Sequence, residues 1–105
     1  MPQSFEIDVT AEDGVLLAHV AGELDLTARE TLTDALLERV GDPGVDRLVV
    51  DMAGVTFCDS SGLGALLDVR RAAADAEVDM VLRAVSRQVA RLLDLADVDG
   101  WLRRE

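Results

Sequence analysis

Two adjacent hydroxyls, Ser60 and Ser61, stand in the run Asp59-Ser60-Ser61-Gly62-Leu63-Gly64, where an apolar strand pattern gives way to a helical one. Asp or Ser ahead of such a pattern is the N-cap signature, because the side-chain oxygen accepts from a first-turn amide that has no intrahelical partner. Hydroxyls placed there lie beside free N–H groups and the positive pole of the helix, a location suited to holding a phosphate or to carrying one. Capping alone also accounts for a serine at a helix start. One serine suffices for a cap, however, and Gly62 and Gly64 put two poor helix formers at the helix start, each costing about 1 kcal/mol relative to Ala. Glycines there leave the serines uncovered and let another backbone come close.

The other reactive residues fit no catalytic template. A nucleophile elbow needs Gly-x-Ser-x-Gly, and the chain reads Cys58-Asp59-Ser60-Ser61-Gly62, without the first glycine. A cysteine phosphatase loop needs Arg where Gly64 stands, so Cys58 reads as a small buried hydrophobe, and as the lone cysteine it rules out an internal disulfide. Asp51 ends an apolar run as a receiver-domain phosphoacceptor does, but a receiver also needs a lysine and an acidic pair after its first strand. All ten bases are Arg, which excludes a P-loop lysine or a Schiff base as well. His19 has no second His and no Cys at metal spacing, so it reads as a strand residue, and neither a metal nor a cofactor is expected. A serine hydrolase using Ser60, His19 and an acid is the enzymatic alternative. Glu23 and Asp25 form an acidic pair that can signal acid–base chemistry or simply line a solvated loop.

Composition narrows the partners. With 21 acids against 10 bases the formal net charge is −11, which repels nucleic-acid phosphates. Half of the residues are hydrophobic, so the chain folds, and residues 1–105 read as one domain. No apolar run approaches a membrane span, and the start MPQSFEIDV lacks the basic and apolar segments of a leader, which points to the cytoplasm.

The elements that must position the serines follow from periodicity. Residues 4–10 alternate and Val15 to Ala21 is more continuous, so the two pair as an antiparallel hairpin around the turn Ala11-Glu12-Asp13-Gly14. Gly22 to Leu26 reads as a loop, Thr27 and Glu30 as a capping box, and the helix behind them ends at Gly41-Asp42-Pro43-Gly44. Leu48-Val49-Val50 is a strand buried on both faces that stops at Asp51, with a loop through Gly54. The helix of the serine motif runs to about Ala76, with a strand over Val78 to Ala84 behind it. Ser86 caps a third helix, which Asp97-Val98-Asp99-Gly100 breaks, and Trp101-Leu102 is a short edge strand. The order β-β-α-β-α-β-α-β implies an α/β domain with a mixed, mostly parallel sheet and helices packed on it. Loops at the carboxyl ends of parallel strands gather on one edge, which brings Glu23 and Asp25 toward Ser60.

Four segments, in order, resemble the STAS domain of bacterial anti-sigma factor antagonists: Gly22-Glu23-Leu24-Asp25, Leu48-Val49-Val50-Asp51, Phe57-Cys58-Asp59-Ser60-Ser61-Gly62-Leu63-Gly64, and Ser86-Arg87-Gln88-Val89-Ala90-Arg91-Leu92-Leu93. The resemblance covers nearly the whole chain, and the Asp-Ser-Ser-Gly-Leu-Gly run is its most specific part. It implies a non-catalytic binding protein whose Ser60 is phosphorylated by an anti-sigma factor that is also a serine kinase. The unphosphorylated form binds the kinase and frees the sigma factor, and a serine phosphatase resets the switch. Glu23, Asp25, Asp59, Ser61, Gly62 and Leu63 then belong to the partner-binding edge. The same domain type also serves in lipid-transport complexes and stress-signalling scaffolds, the alternative use that the resemblance allows. The chain departs from the pattern at Arg87, where Pro is frequent, and at Ala96-Asp97. It also stops at Glu105 where many members continue into a further helix, which implies a more exposed final edge.

Overall fold

The computed structural model describes residues 5–98 and 100–105, so Ser4 of the expected first strand and Asp99 of the expected breaker lie outside the described residues. The elements are β1 (Glu6–Glu12), β2 (Val15–Leu24), α1 (Leu26–Val40), β3 (Arg47–Cys58), α2 (Ser60–Asp75), β4 (Asp79–Arg83), α3 (Arg87–Ala96) and β5 (Arg103–Arg104). They build one five-stranded sheet in the order β1-β2-β3-β4-β5. β1 and β2 are antiparallel, and every later pairing is parallel.

Because each crossover steps to the next strand in the same direction, the helices collect on one face of the sheet. Leu16, Ala18 and Val20 of β2, Leu48, Val50 and Met52 of β3, and Met80 and Leu82 of β4 alternate into a single core. Ala28, Leu32 and Leu36 of α1, Leu66, Val69 and Ala73 of α2, and Val89 and Leu93 of α3 fill it from the helix side. Val49 and Val81 are also buried but stand apart from this core, pointing to the opposite face of the sheet. The continuous apolar runs in β3 and β4 thus reflect burial on both faces.

The first hairpin is tighter than the sequence suggests, Ala11 and Glu12 pairing with Leu16 and Val15 so that Asp13 and Gly14 alone make the turn. The carboxyl ends of β2 and β3 also differ from the expectation, for one shared reason. β2 continues through Leu24 and β3 through Cys58, so that Gly22 pairs with Val55, Glu23 with Phe57 and Leu24 with Cys58. Residues 22–24 of the expected first loop and the stretch after Asp51 are therefore strand, with Asp25 and Leu26 going to the start of α1. The pairing carries register shifts between His19 and Ala21 and between Gly22 and Glu23. Such irregularities mask the alternation by which a strand is read. Gly54 serves this close pairing, since a Cβ there would fall 2.8 Å from the Ala21 Cβ. At the far edge the short strand is Arg103–Arg104 and not Trp101-Leu102. Leu102 is drawn into the core and Trp101 lies under the Arg70 guanidinium, 4.5 Å from the ring centroid.

Candidate functional site

The extension of β2 and β3 carries their carboxyl ends together, and both following helices start from that edge. The cap of α1 is not the one the sequence suggests, and at α2, where the sequence offers Asp or Ser, the cap is the aspartate. Asp25 caps α1, its Oδ1 accepting from the Ala28 N–H at 3.1 Å, so the Thr27–Glu30 box is not the cap. Asp59 caps α2, its Oδ1 accepting from the Gly62 N–H at 3.0 Å. An aspartate in extended backbone does this as well as a hydroxyl side chain, and it stands two residues before Thr27 at α1 and one before Ser60 at α2.

The orphan amides of α2 can be followed one by one. Asp59 N–H is directed at the Leu24 carbonyl at 3.4 Å, Gly62 N–H goes to the Asp59 carboxylate, and Leu63 N–H makes the first intrahelical bond, to the Asp59 carbonyl. The two amides that remain in the first turn belong to Ser60 and Ser61. Ser60 is exposed and Ser61 half-buried, while Gly62 and Leu63 are buried beneath them. A Cβ on Gly62 would lie 2.1 Å from the Leu24 carbonyl oxygen, so the helix start is pressed against the end of β2.

Glu23 is exposed and Asp25 half-buried on the same edge, with Asp59 half-buried beside the serines. Three further residues there were not singled out from the sequence. Leu26 is 69% exposed and Phe57 39%, two large apolar side chains flanking an acidic edge. Leu26 falls in the stretch that reads as loop from the sequence and opens α1 instead. Phe57 lies beyond the expected loop through Gly54, among residues 55–58 to which the sequence pattern gives no element. Arg29, one turn into α1, reaches across to α2 and donates from Nη2 to Asp68 Oδ2 at 2.9 Å.

The structure does not bring Ser60 and His19 together. His19 Nδ1 is bonded to Asp51 Oδ2 at 3.0 Å, five residues back along β2 from Leu24, or roughly 16 Å at the rise of a strand. Asp51 also accepts from Arg83 Nη2 at 3.2 Å and from the Ala53 N–H at 3.0 Å. The Ala53 amide, seconded by Arg83 and His19 and opposed by partial burial, holds its carboxyl below the usual value. Cys58 is buried, its thiol pushed up to about 11 by that burial and by the charge of Asp59. No group of three or more His, Cys, Asp or Glu side chains among the described residues could hold a metal ion. No helix among them is long and apolar enough to cross a membrane.

The sequence model of the STAS domain matches residues 6–104. An anti-sigma F factor antagonist of Paenibacillus polymyxa is 27% identical over 93 residues, which span 89% of this chain and 80% of the relative. The crystal structure of an anti-sigma factor antagonist from Mycobacterium paratuberculosis superposes with a TM-score of 0.85 at 27% identity, over 96% of this chain and 85% of the other. The unphosphorylated anti-sigma factor antagonist SpoIIAA shares the fold at 20% identity, with a TM-score of 0.79 over 97% of this chain and 88% of that one.

Proposed function

The chain belongs to the STAS domain family, and from that premise we propose that it is an anti-sigma factor antagonist, a regulatory binding protein and not an enzyme. Residues 1–105 act as one STAS unit in the cytoplasm. Its partner is an anti-sigma factor with serine kinase activity, which phosphorylates Ser60, and a serine phosphatase reverses the modification. The similar relative from Paenibacillus polymyxa, described as an anti-sigma F factor antagonist, supports the reading. The observation that carries it is that Ser60 is exposed at the start of α2 while Asp59 does the capping, which leaves the hydroxyl free to react.

The recognition edge consists of Glu23, Asp25, Asp59, Ser60 and Ser61, with Leu26 and Phe57 giving apolar contact. Gly62 and Leu63 support it from below by fixing the backbone. Phosphorylation adds a charge of about −1.5 to −2 at pH 7. At a helix N-terminus the amides and the dipole tolerate it, so the fold survives. Inside an interface, beside two carboxylates, it has to be desolvated against like charge, which costs several kcal/mol. At about 1.4 kcal/mol per decade of affinity, this switches binding a few hundredfold without rearranging the chain.

The test is incubation with a cognate kinase and ATP, followed by peptide mapping and binding measurements. Ser60→Ala folds, resists phosphorylation and binds the kinase persistently. Ser60→Asp binds more weakly than the parent but mimics phosphate only in part, having one charge and two acceptor oxygens. Phosphate on Ser61 alone refutes the acceptor assignment. Equal binding by parent and variants, before and after ATP, refutes the switch.

A further inference from the structure

Ser60, Gly64 and Asp68 follow one another at i, i+4 and i+8 along α2 and so form a single row on the helix surface. The Arg29 guanidinium lies over the middle of that row, because a Cβ built on Gly64 would stand 3.2 Å from its Nη1. One turn toward the carboxyl end it bonds Asp68, and one turn toward the amino end is Ser60. α1 and α2 start from the same edge and run side by side, so side chains on α1 lean toward that edge as well. A hydroxyl offers Arg29 little, and in the unphosphorylated chain the guanidinium goes to the carboxylate.

We propose that Arg29 is a phosphate clamp: when Ser60 carries a phosphoryl group, Arg29 leaves Asp68 and pairs with the phosphate. This rests on the reading of Ser60 as the phosphoacceptor. The bond being given up is weak, since Arg29 and Asp68 are 41% and 36% exposed and such pairs are heavily screened. Asp68 is not stranded by the loss, because Arg71 Nη1 stands 3.6 Å from its other oxygen. The bond being gained joins a guanidinium fork to a group of higher charge and three acceptor oxygens, which it can engage with two parallel N–H bonds. Gly64 is the enabling residue, as any side chain there would occupy the track along which the guanidinium moves. The clamp fixes the phosphate on the surface, at the edge where the partner docks, and it ties the starts of α1 and α2 together in the modified form.

The experiment places phosphoserine at position 60 during translation, so it needs no kinase and separates the clamp from the kinase reading. The 31P resonance is titrated through the second phosphate ionisation, which for phosphoserine lies near pH 6. A guanidinium at about 4 Å favours the dianion, so Arg29→Ala raises this ionisation by about 0.5–1 pH unit. Arg29→Lys keeps part of the shift, retaining the charge but not the fork. Arg71→Ala, which removes the other cation on Asp68 and so makes that carboxylate a stronger competitor for Arg29, shifts the titration by less than Arg29→Ala does. Far-UV circular dichroism verifies that each variant is folded. An unchanged titration in Arg29→Ala, or an equal shift in Arg71→Ala, overturns the clamp whether or not any kinase modifies Ser60.

Discussion

Replacing Gly62 and Gly64 separately by alanine separates packing from helix propensity, because the two glycines lie on the same helix turn and meet different neighbours. On propensity alone each replacement stabilises α2 by about 1 kcal/mol. At Gly62 the new methyl would lie 2.1 Å from the Leu24 carbonyl oxygen, 2.8 Å from Leu24 Cγ and 2.9 Å from the Leu24 carbonyl carbon. Two of those atoms are backbone at the last pair of β2 with β3, where the Leu24 carbonyl also accepts from the Asp59 N–H, and they have little room to retreat. Overpacking of this kind costs about 1–3 kcal/mol, and contact with fixed backbone puts it at the upper end. The net loss for Gly62→Ala is then about 2 kcal/mol, equivalent to a fall of roughly 10 °C in Tm for a domain of this size. At Gly64 the methyl meets only the Arg29 guanidinium, at 3.2 Å, the far end of a flexible side chain. Gly64→Ala is therefore neutral or stabilising by up to about 1 kcal/mol. Urea unfolding followed by circular dichroism and by the fluorescence of Trp101 gives both values. Equal destabilisation by the two, or a Gly62→Ala protein as stable as the parent, refutes the claim that α2 starts in backbone contact with β2.

Asp51 has a folded carboxyl held below its ordinary value of 3.8, so the stability it contributes is present above that pH and is lost as pH falls through the lowered value. Unfolding free energies measured between pH 5 and pH 2, on the order of the window that linkage assigns to such a group, show a shallower acid loss in Asp51→Asn than in the parent. An unaltered slope removes Asp51 from the acid response. The Cys58 thiol, raised to about 11 and buried, stays unreactive toward a disulfide reagent at mildly alkaline pH until the chain unfolds. Prompt labelling of the native protein contradicts that placement.

The element order was legible because helices and strands differ in period, and the parallel sheet because strand and helix alternate. Ser86 was recognised as the cap of α3 and indeed accepts from the Val89 N–H at 3.1 Å. The second half of β3 was not legible. From Met52 to Cys58 its buried residues are Met52, Val55 and Cys58, spaced by three, which is the imprint of bulges and not of a regular pleat. The site suffered for it, since residues 55–58, Phe57 among them, show no readable element and the contact of Gly62 with Leu24 depends on both strands running on. Capping was misassigned at α1 because Thr27 and Glu30 satisfy a local pattern, whereas the choice of Asp25 is set by where β2 releases the chain. Arg29 could be found only in three dimensions, its partner Asp68 being 39 residues away.

The identity of the cap has a consequence for how a phosphate at this site behaves. Had Ser60 been the cap, its oxygen would be turned inward onto a first-turn amide, and a phosphoryl group there would spend its charge on the helix. With Asp59 in that place, the Gly62 N–H is already taken and the Asp59 N–H is directed at Leu24. Only the Ser60 and Ser61 amides are left to the phosphate, and both belong to the rim of the turn. Its charge is thereby turned outward, toward whatever docks on Leu26 and Phe57. The two capping aspartates of this edge contribute a second time, since each carboxylate that caps a helix there also opposes the charge of the phosphate. A single substitution that moves the cap, Asp59→Ala, therefore weakens the fold by the loss of a cap, about 1 kcal/mol, and also lets Ser60 turn inward. The modified form of such a variant discriminates less between bound and free partner than the parent does, an outcome that comparison of kinase affinity with and without phosphate on Ser60 measures directly. Discrimination undiminished in Asp59→Ala would show that the cap has no part in directing the charge.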